Sequence, residues 1–195
     1  PGRPRSFQLK IAEVVPLAER GLHALRGLEA ELFEAETGLL RATVRSPRGR
    51  ARVSLEGNEP RVGREEPISL EDVDLALLAG TPLAPLTLRS PSLDMDLGQG
   101  RFTSDAAVAI EGEGLSASGT GLDARPAEGL VRLERAGTIE GQTGAGSVWR
   151  LSATGDGPLD LHRMQAEEGR EAIVSVRGGA LLEFEGAEGL QLSAN

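Results

Sequence analysis

The stretch Leu93-Asp94-Met95-Asp96-Leu97 alternates apolar and acidic residues with a period of two. Side chains of an extended strand point to opposite faces in turn, so Leu93, Met95 and Leu97 share one face and both aspartates the other. A helix would scatter the same residues around its circumference. Downstream the pattern recurs at Ala106, Val108 and Ile110, at Leu115 and Ala117, at Val131 and Leu133, and at Trp149, Leu151 and Ala153. It continues through Leu159 and Leu161, Val174 and Val176, Leu182 and Phe184, and Leu190 and Leu192. Upstream it holds at Phe7, Leu9 and Ile11, at Ala51, Val53 and Leu55, and at Val73, Leu75 and Leu77. These spacings specify an all-β chain of short, half-buried strands.

Glycine- and proline-rich breaks separate the runs at the spacing of an all-β fold. The expected turns are Pro47-Arg48-Gly49, Gly98-Gln99-Gly100, Glu111 to Gly114, Pro126 to Gly129, Gly155 to Pro158, Gly178-Gly179 and Gly186 to Gly189. One segment is ambiguous. Leu22, Leu25, Leu28 and Leu32 have near-helical spacing, which permits a short amphipathic helix within residues 12–27. Gly21 and Gly27 oppose it, each costing a helix about 1 kcal/mol relative to alanine. From about Leu28 onward a strand running into Thr37-Gly38 fits better, and residues 12–27 stay open. A loose repeat links Leu93, Gly100, Phe102 and Val108 to Leu122, Gly129, Val131 and Leu133, as stacked hairpins would.

Composition narrows the chemistry. The 195 residues include no cysteine, so disulfide scaffolds, zinc ribbons and thiol catalysis are excluded. The net charge is -9, unevenly spread: residues 1–63 hold 11 basic and 8 acidic groups, residues 64–195 hold 10 and 22. With that balance and five aromatic side chains, nucleic acid is not an expected partner. The longest uncharged run, Leu75 to Leu88, contains Gly80, Pro82 and Pro85 and is too short to span a bilayer as a helix.

No catalytic constellation emerges, and an enzyme is not expected. His23 and His162 stand in no ligand spacing, so no metal and no cofactor is expected. The acidic pairs Asp72/Asp74, Asp94/Asp96 and Glu183/Glu185 each share a strand face opposite the aliphatic stripe, which fits a solvated exterior better than glycosidase chemistry. Gly119-Thr120-Gly121 precedes no helix, and no Gly-x-Ser-x-Gly elbow occurs. Arg45, Arg48, Arg50 and Arg52 form a basic cluster, read as a hairpin tip whose guanidinium groups could clamp phosphates. What remains is the inward aliphatic face. Packed shut it is an ordinary core; splayed apart it is a greasy groove for acyl chains. The groove-lining candidates from strand parity are Val73, Leu75, Met95, Leu97, Phe102, Val108, Ile110, Leu115, Ala117, Val131, Leu133, Trp149, Leu151, Leu161 and Phe184. A charge at Ile110 or Leu133 is then expected to abolish lipid contact while leaving the fold intact.

The runs Ile68–Leu75 (ISLEDVDL), Leu86–Asp96 (LTLRSPSLDMD), Gly100–Ile110 (GRFTSDAAVAI), Leu115–Asp123 (LSASGTGLD) and Gly129–Leu133 (GLVRL) carry a resemblance. In them the chain resembles the periplasmic lipopolysaccharide-transport proteins of the LptC/LptA (OstA-like) superfamily. The likeness implies an elongated open β-jellyroll, a V-shaped roll of stacked antiparallel hairpins with an aliphatic interior for lipid acyl chains. It further implies edge-to-edge joining to other jellyroll proteins, attachment to an inner-membrane ABC transporter complex, and a bridge between the two membranes of a Gram-negative envelope. An N-terminal anchor preceding Pro1 is part of that expectation, as is a periplasmic location. In these terms residues 1–67 are N-terminal strands, 68–139 the OstA-like core and 140–195 further hairpins of the same roll. The competing expectation is a structural β-solenoid or scaffold with a closed core and no lipid cargo.

Overall fold

The computed structural model describes residues 7–34, 36–56, 59–63, 66–78, 85–112, 115–128, 130–142, 148–153, 157–166, 169–176 and 180–185. Among them every regular element is a strand, apart from a 3-10 turn at Pro126–Glu128. The strands are β1 (Phe7–Pro16), β2 (Leu22–Phe33), β3 (Leu40–Glu56), β4 (Glu59–Val62), β5 (Ile68–Leu77), β6 (Leu86–Asp96) and β7 (Arg101–Gly112). They continue with β8 (Leu115–Arg125), β9 (Leu130–Gln142), β10 (Val148–Ala153), β11 (Leu159–Ala166), β12 (Gly169–Val176) and β13 (Ala180–Glu185). All pairings are antiparallel, and the sheet is open, not closed into a barrel, as an open β-jellyroll requires.

The order is simpler than thirteen strands imply. β10 pairs with β9 from Gln142 to Thr138, and β11 takes up the same edge of β9 from Leu133 to Leu130. β10 and β11 are therefore two halves of one long strand. β12 and β13 line them in turn, β12 along β11 and β13 along β10. At the other end, β4 and β5 together flank β3. The molecule is an up-and-down meander of long strands, each neighbour in sequence a neighbour in space.

Each of the first long strands breaks its alternation once. In β5 the buried residues are Ile68 and Leu70, then Val73, Leu75 and Leu77, so Glu71 and Asp72 both face outward. The same outward doublet occurs at Ala12-Glu13 in β1, Arg26-Gly27 in β2, Pro47-Arg48 in β3 and Pro91-Ser92 in β6. Doublet opposes doublet: Glu13 lies across from Arg26, Arg26 from Arg48, Arg48 from Glu71, and Glu71 from Ser92. From β7 on the corner widens and the register shifts by one at each pairing. An extra residue at one level of every strand lets the chain turn a corner while its apolar stripe stays on the inside. Gly27 (φ 61°) and Asp72 (φ 53°) take the left-handed conformation there.

This crease rolls the sheet onto itself. A methyl group at Gly100, in the β6–β7 turn, would stand 3.8 Å from the Leu32 Cδ2 of β2, four strands away. Inside, one aliphatic cluster runs from β2 to β11. Each Val, Leu or Ile enclosed there contributes about 1.5–3 kcal/mol. At Gly49 the next strand presses close: a methyl group would meet Leu70 Cδ2 at 2.8 Å and the Ser69 carbonyl at 2.9 Å.

Two readings change. Residues 12–27 are not helical: β1, the turn at 17–21 and β2 form a hairpin, because Gly21 (φ 81°) supplies the reversal and Val14 and Leu25 turn inward as a cross-strand pair. Pro47-Arg48-Gly49 is no turn but the crease in the middle of the 17-residue β3. The expected turns at 98–100 and 126–128 are present, whereas most of the 111–114, 155–158, 178–179 and 186–189 signals lie outside the described residues.

Candidate functional site

Val73, Leu75, Met95, Phe102, Val108, Ile110, Val131 and Leu133 all point inward and are at most 3% exposed. Leu97 and Ala117 are buried as well, and Leu115 and Leu151 are half-buried against the same cluster. Strand parity thus places these candidates on one continuous inner face. They pack against one another: Met95 lies opposite Phe102 and Ile68, and Ile110 lies opposite Leu88 and Ala117. Trp149 stands across from Phe184, and Leu161 across from Val131; the side chains of Trp149, Leu161 and Phe184 lie outside the described residues.

The inner face loosens at one end. On β1, Phe7, Leu9, Ile11 and Val14 are only half-buried, whereas their β2 partners Leu28, Ala30 and Leu25 are 1% exposed. Among the described residues β1 pairs with β2 alone, so the roll ends there in a strand edge.

Sequence parity missed part of the lining. Ile68 and Leu70 belong to the same cluster but lie across the crease from Val73 and Leu75, out of phase with them, and Leu88, in phase with Leu75, belongs to it too. Leu25 and Leu28 were obscured by the helical reading of their spacing. A signal existed: Arg45-Ser46-Pro47 and Arg89-Ser90-Pro91 repeat a tripeptide, and both mark the corner. Their serines are buried and repair the broken ladder. Ser46 Oγ lies 2.6 Å from both the Arg48 and the Glu71 carbonyl, and its one proton is shared between them. Ser90 and Ser104 both reach the Ser92 carbonyl, at 2.7 and 2.6 Å.

The basic cluster is not a hairpin tip. Arg45, Arg48, Arg50 and Arg52 spread along β3, all four exposed, because the crease keeps the strand running where the proline and glycine predicted reversal. Arg45 stands 3.7 Å from Glu29, and Arg48 bonds Glu71 and Asp72 at 3.3 and 2.9 Å. Arg52 bridges Glu19 and Glu66 at 2.6 and 2.8 Å, which raises its pKa. Carboxylates of the chain itself thus meet three of the four cations.

The acidic residues are similarly engaged. Asp94 accepts from Ser69 Oγ at 2.7 Å, Asp96 caps the next turn by accepting from the Gly98 and Gln99 amides, and Asp74 meets Arg89 at 3.3 Å. The Glu183 and Glu185 side chains lie outside the described residues. Two carboxylates are buried. Asp123 receives Arg101 at 2.7 and 3.0 Å and Arg125 at 3.0 Å. Burial alone would raise its pKa, but the hydrogen bonds and charges of the two arginines outweigh that and hold it low. Asp160, on β11, is held by both nitrogens of the Arg132 fork, with Nη2 at 2.8 Å. Near the β2–β3 turn, Glu34 is kept low by Thr37 and Arg41.

Among the described residues no group of three His, Asp or Glu side chains could hold a metal, and no helix is long and apolar enough to cross a membrane. No family model matches the sequence, and no curated protein matches it significantly.

Proposed function

We propose that this chain is a non-enzymatic lipid-binding module of the lipopolysaccharide-transport kind, working in the periplasm as part of a bridge between inner and outer membranes. The observation that carries the reading is the continuous aliphatic inner face of an open roll, loosened at its β1 end. An acyl chain needs apolar contact along its length and a way in; the half-buried rim of Phe7, Leu9, Ile11 and Val14 offers the entrance. Edges that end in single strands suit joining to other jellyroll proteins by strand addition, and through them to an inner-membrane ABC transporter complex. The resemblance in residues 68–133 points the same way.

A second reading, a closed-core scaffold, draws support from the complete burial of Met95, Ile110 and Leu133. Photoreactive side chains separate the two. Placed at Leu9 and at Ile110, and at Glu111 as an outward control, they are irradiated with purified lipopolysaccharide. Lipid adducts at Leu9 and Ile110 but not at Glu111 are expected. Adducts at none of the three would leave the scaffold as the better account.

A further inference from the structure

The edge strand β1 carries the same corner as every strand beside it, and that corner obeys a pairing rule. In four successive pairings, β1–β2, β2–β3, β3–β5 and β5–β6, the outward doublet of one strand opposes the outward doublet of the next. The reason is mechanical. A corner in one strand leaves its neighbour's ladder bonds misdirected unless that neighbour bends at the same level. A strand added to the free edge of β1 in the manner of these four pairings brings an outward doublet opposite Ala12-Glu13. β1 itself satisfies this. An antiparallel doublet opposing its own copy defines a two-fold axis.

We propose that β1 pairs with β1 of a second copy of this chain, antiparallel across a two-fold axis at the crease, with Ala12 opposite the other copy's Glu13. The proposal sharpens the edge-joining part of the function above by naming the partner and the register. In this register Ile11 falls opposite Val14 of the other copy, so half-buried inward residues stand side by side across the axis and the apolar inner face runs on from one copy into the other. Every pair keeps like faces together, because both strands change phase at the same level.

Charge agrees with the register. Across the outer face runs an alternating row, Lys10, Glu29, Arg45, Asp74 and Arg89, each opposite the next in the ladder. Its last rung on β1 is the chain's one lysine, and among the described residues Lys10 forms no ion pair. The proposed pairing sets Lys10 diagonal to Glu13 of the other copy, twice by symmetry, within reach of a long side chain. Glu13 is exposed and meets Arg26 with one oxygen at 3.1 Å, leaving the other to accept.

Sedimentation velocity of the full chain, without lipid, tests this. A closed dimer is expected. Lys10→Glu alone or Glu13→Lys alone sets like charges at both diagonals and weakens the dimer by about tenfold. An equimolar mixture of the two variants regains the original affinity, because each altered charge then meets its opposite. Circular dichroism should be unchanged throughout, both side chains being exposed. The pairing is overturned if the chain stays monomeric up to about 0.1 mM, if mass grows beyond a dimer, or if the dimer ignores both charges. Lipid adducts on a chain that remains monomeric would overturn this pairing alone; a dimer without adducts would overturn the lipid reading alone.

Discussion

Asp123 and Asp160 stand in the outer ladder but are shielded from water, and each has its charge met by arginine. The Asp123 pKa is lower in the fold than in the unfolded chain, where a carboxyl titrates near about 3.9. The unfolded chain therefore binds more protons in that window, so the stabilisation is complete above about pH 4 and is lost as pH falls through the folded value. Urea midpoints measured from about pH 5 downward should fall, and less steeply in Asp123→Asn. For Asp160→Asn the Arg132 guanidinium loses its forked partner, and a loss of about 2–4 kcal/mol is expected in chemical denaturation. Burial also revises the test imagined for Ile110. At 0% exposure, with Leu88 and Ala117 on either side, it cannot take a charge and leave the roll folded. Ile110→Ala should itself cost about 2–5 kcal/mol through the cavity it opens.

At the scale of the strand, the corner is the feature that makes a roll from a flat meander. Asp72 sits in it with φ 53° and bonds Arg48 at 2.9 Å, so conformation and charge both act at one residue. They separate by substitution. Asp72→Ala and Asp72→Gly both lose the ion pair, yet the glycine variant should be the more stable by about 1 kcal/mol, the reverse of the usual strand preference. Thermal unfolding of the two variants would show equal stability if the left-handed conformation were unimportant. Alternation within each half-strand was legible, as in Leu93, Met95 and Leu97 or Val73, Leu75 and Leu77. The phase change between halves was not, because period-2 reading treats a proline or glycine such as Pro47 or Gly49 as an end. Only a neighbouring strand that bends at the same level shows it to be a corner. Asp123 and Asp160 were equally hidden. Arg125 stands two residues from Asp123 on the same strand, but Arg101 and Arg132 reach their carboxylates from neighbouring strands, and no local spacing announces that.

For the whole molecule, the decisive property is whether the roll can exchange self-packing for a guest. A ligand bound only by the folded state stabilises it by about 2.7 kcal/mol at a hundredfold excess over Kd. Added lipopolysaccharide should therefore raise the thermal midpoint, and Leu9→Asp at the loosened rim should reduce that rise, measured from the variant's own lipid-free midpoint. No shift at saturating lipid would favour the closed scaffold. The sequence by itself determined that the chain is all-β, which face of each half-strand is apolar, and that the exterior is acidic. Those properties follow from side-chain chemistry at a period of two, and a period needs only near neighbours. The tertiary structure alone decided that the strands bend together at one level, that the aliphatic faces meet in one cluster, and that the basic run on β3 is answered by carboxylates. Each of those depends on residues far apart in the chain, brought together by ladder register and by burial.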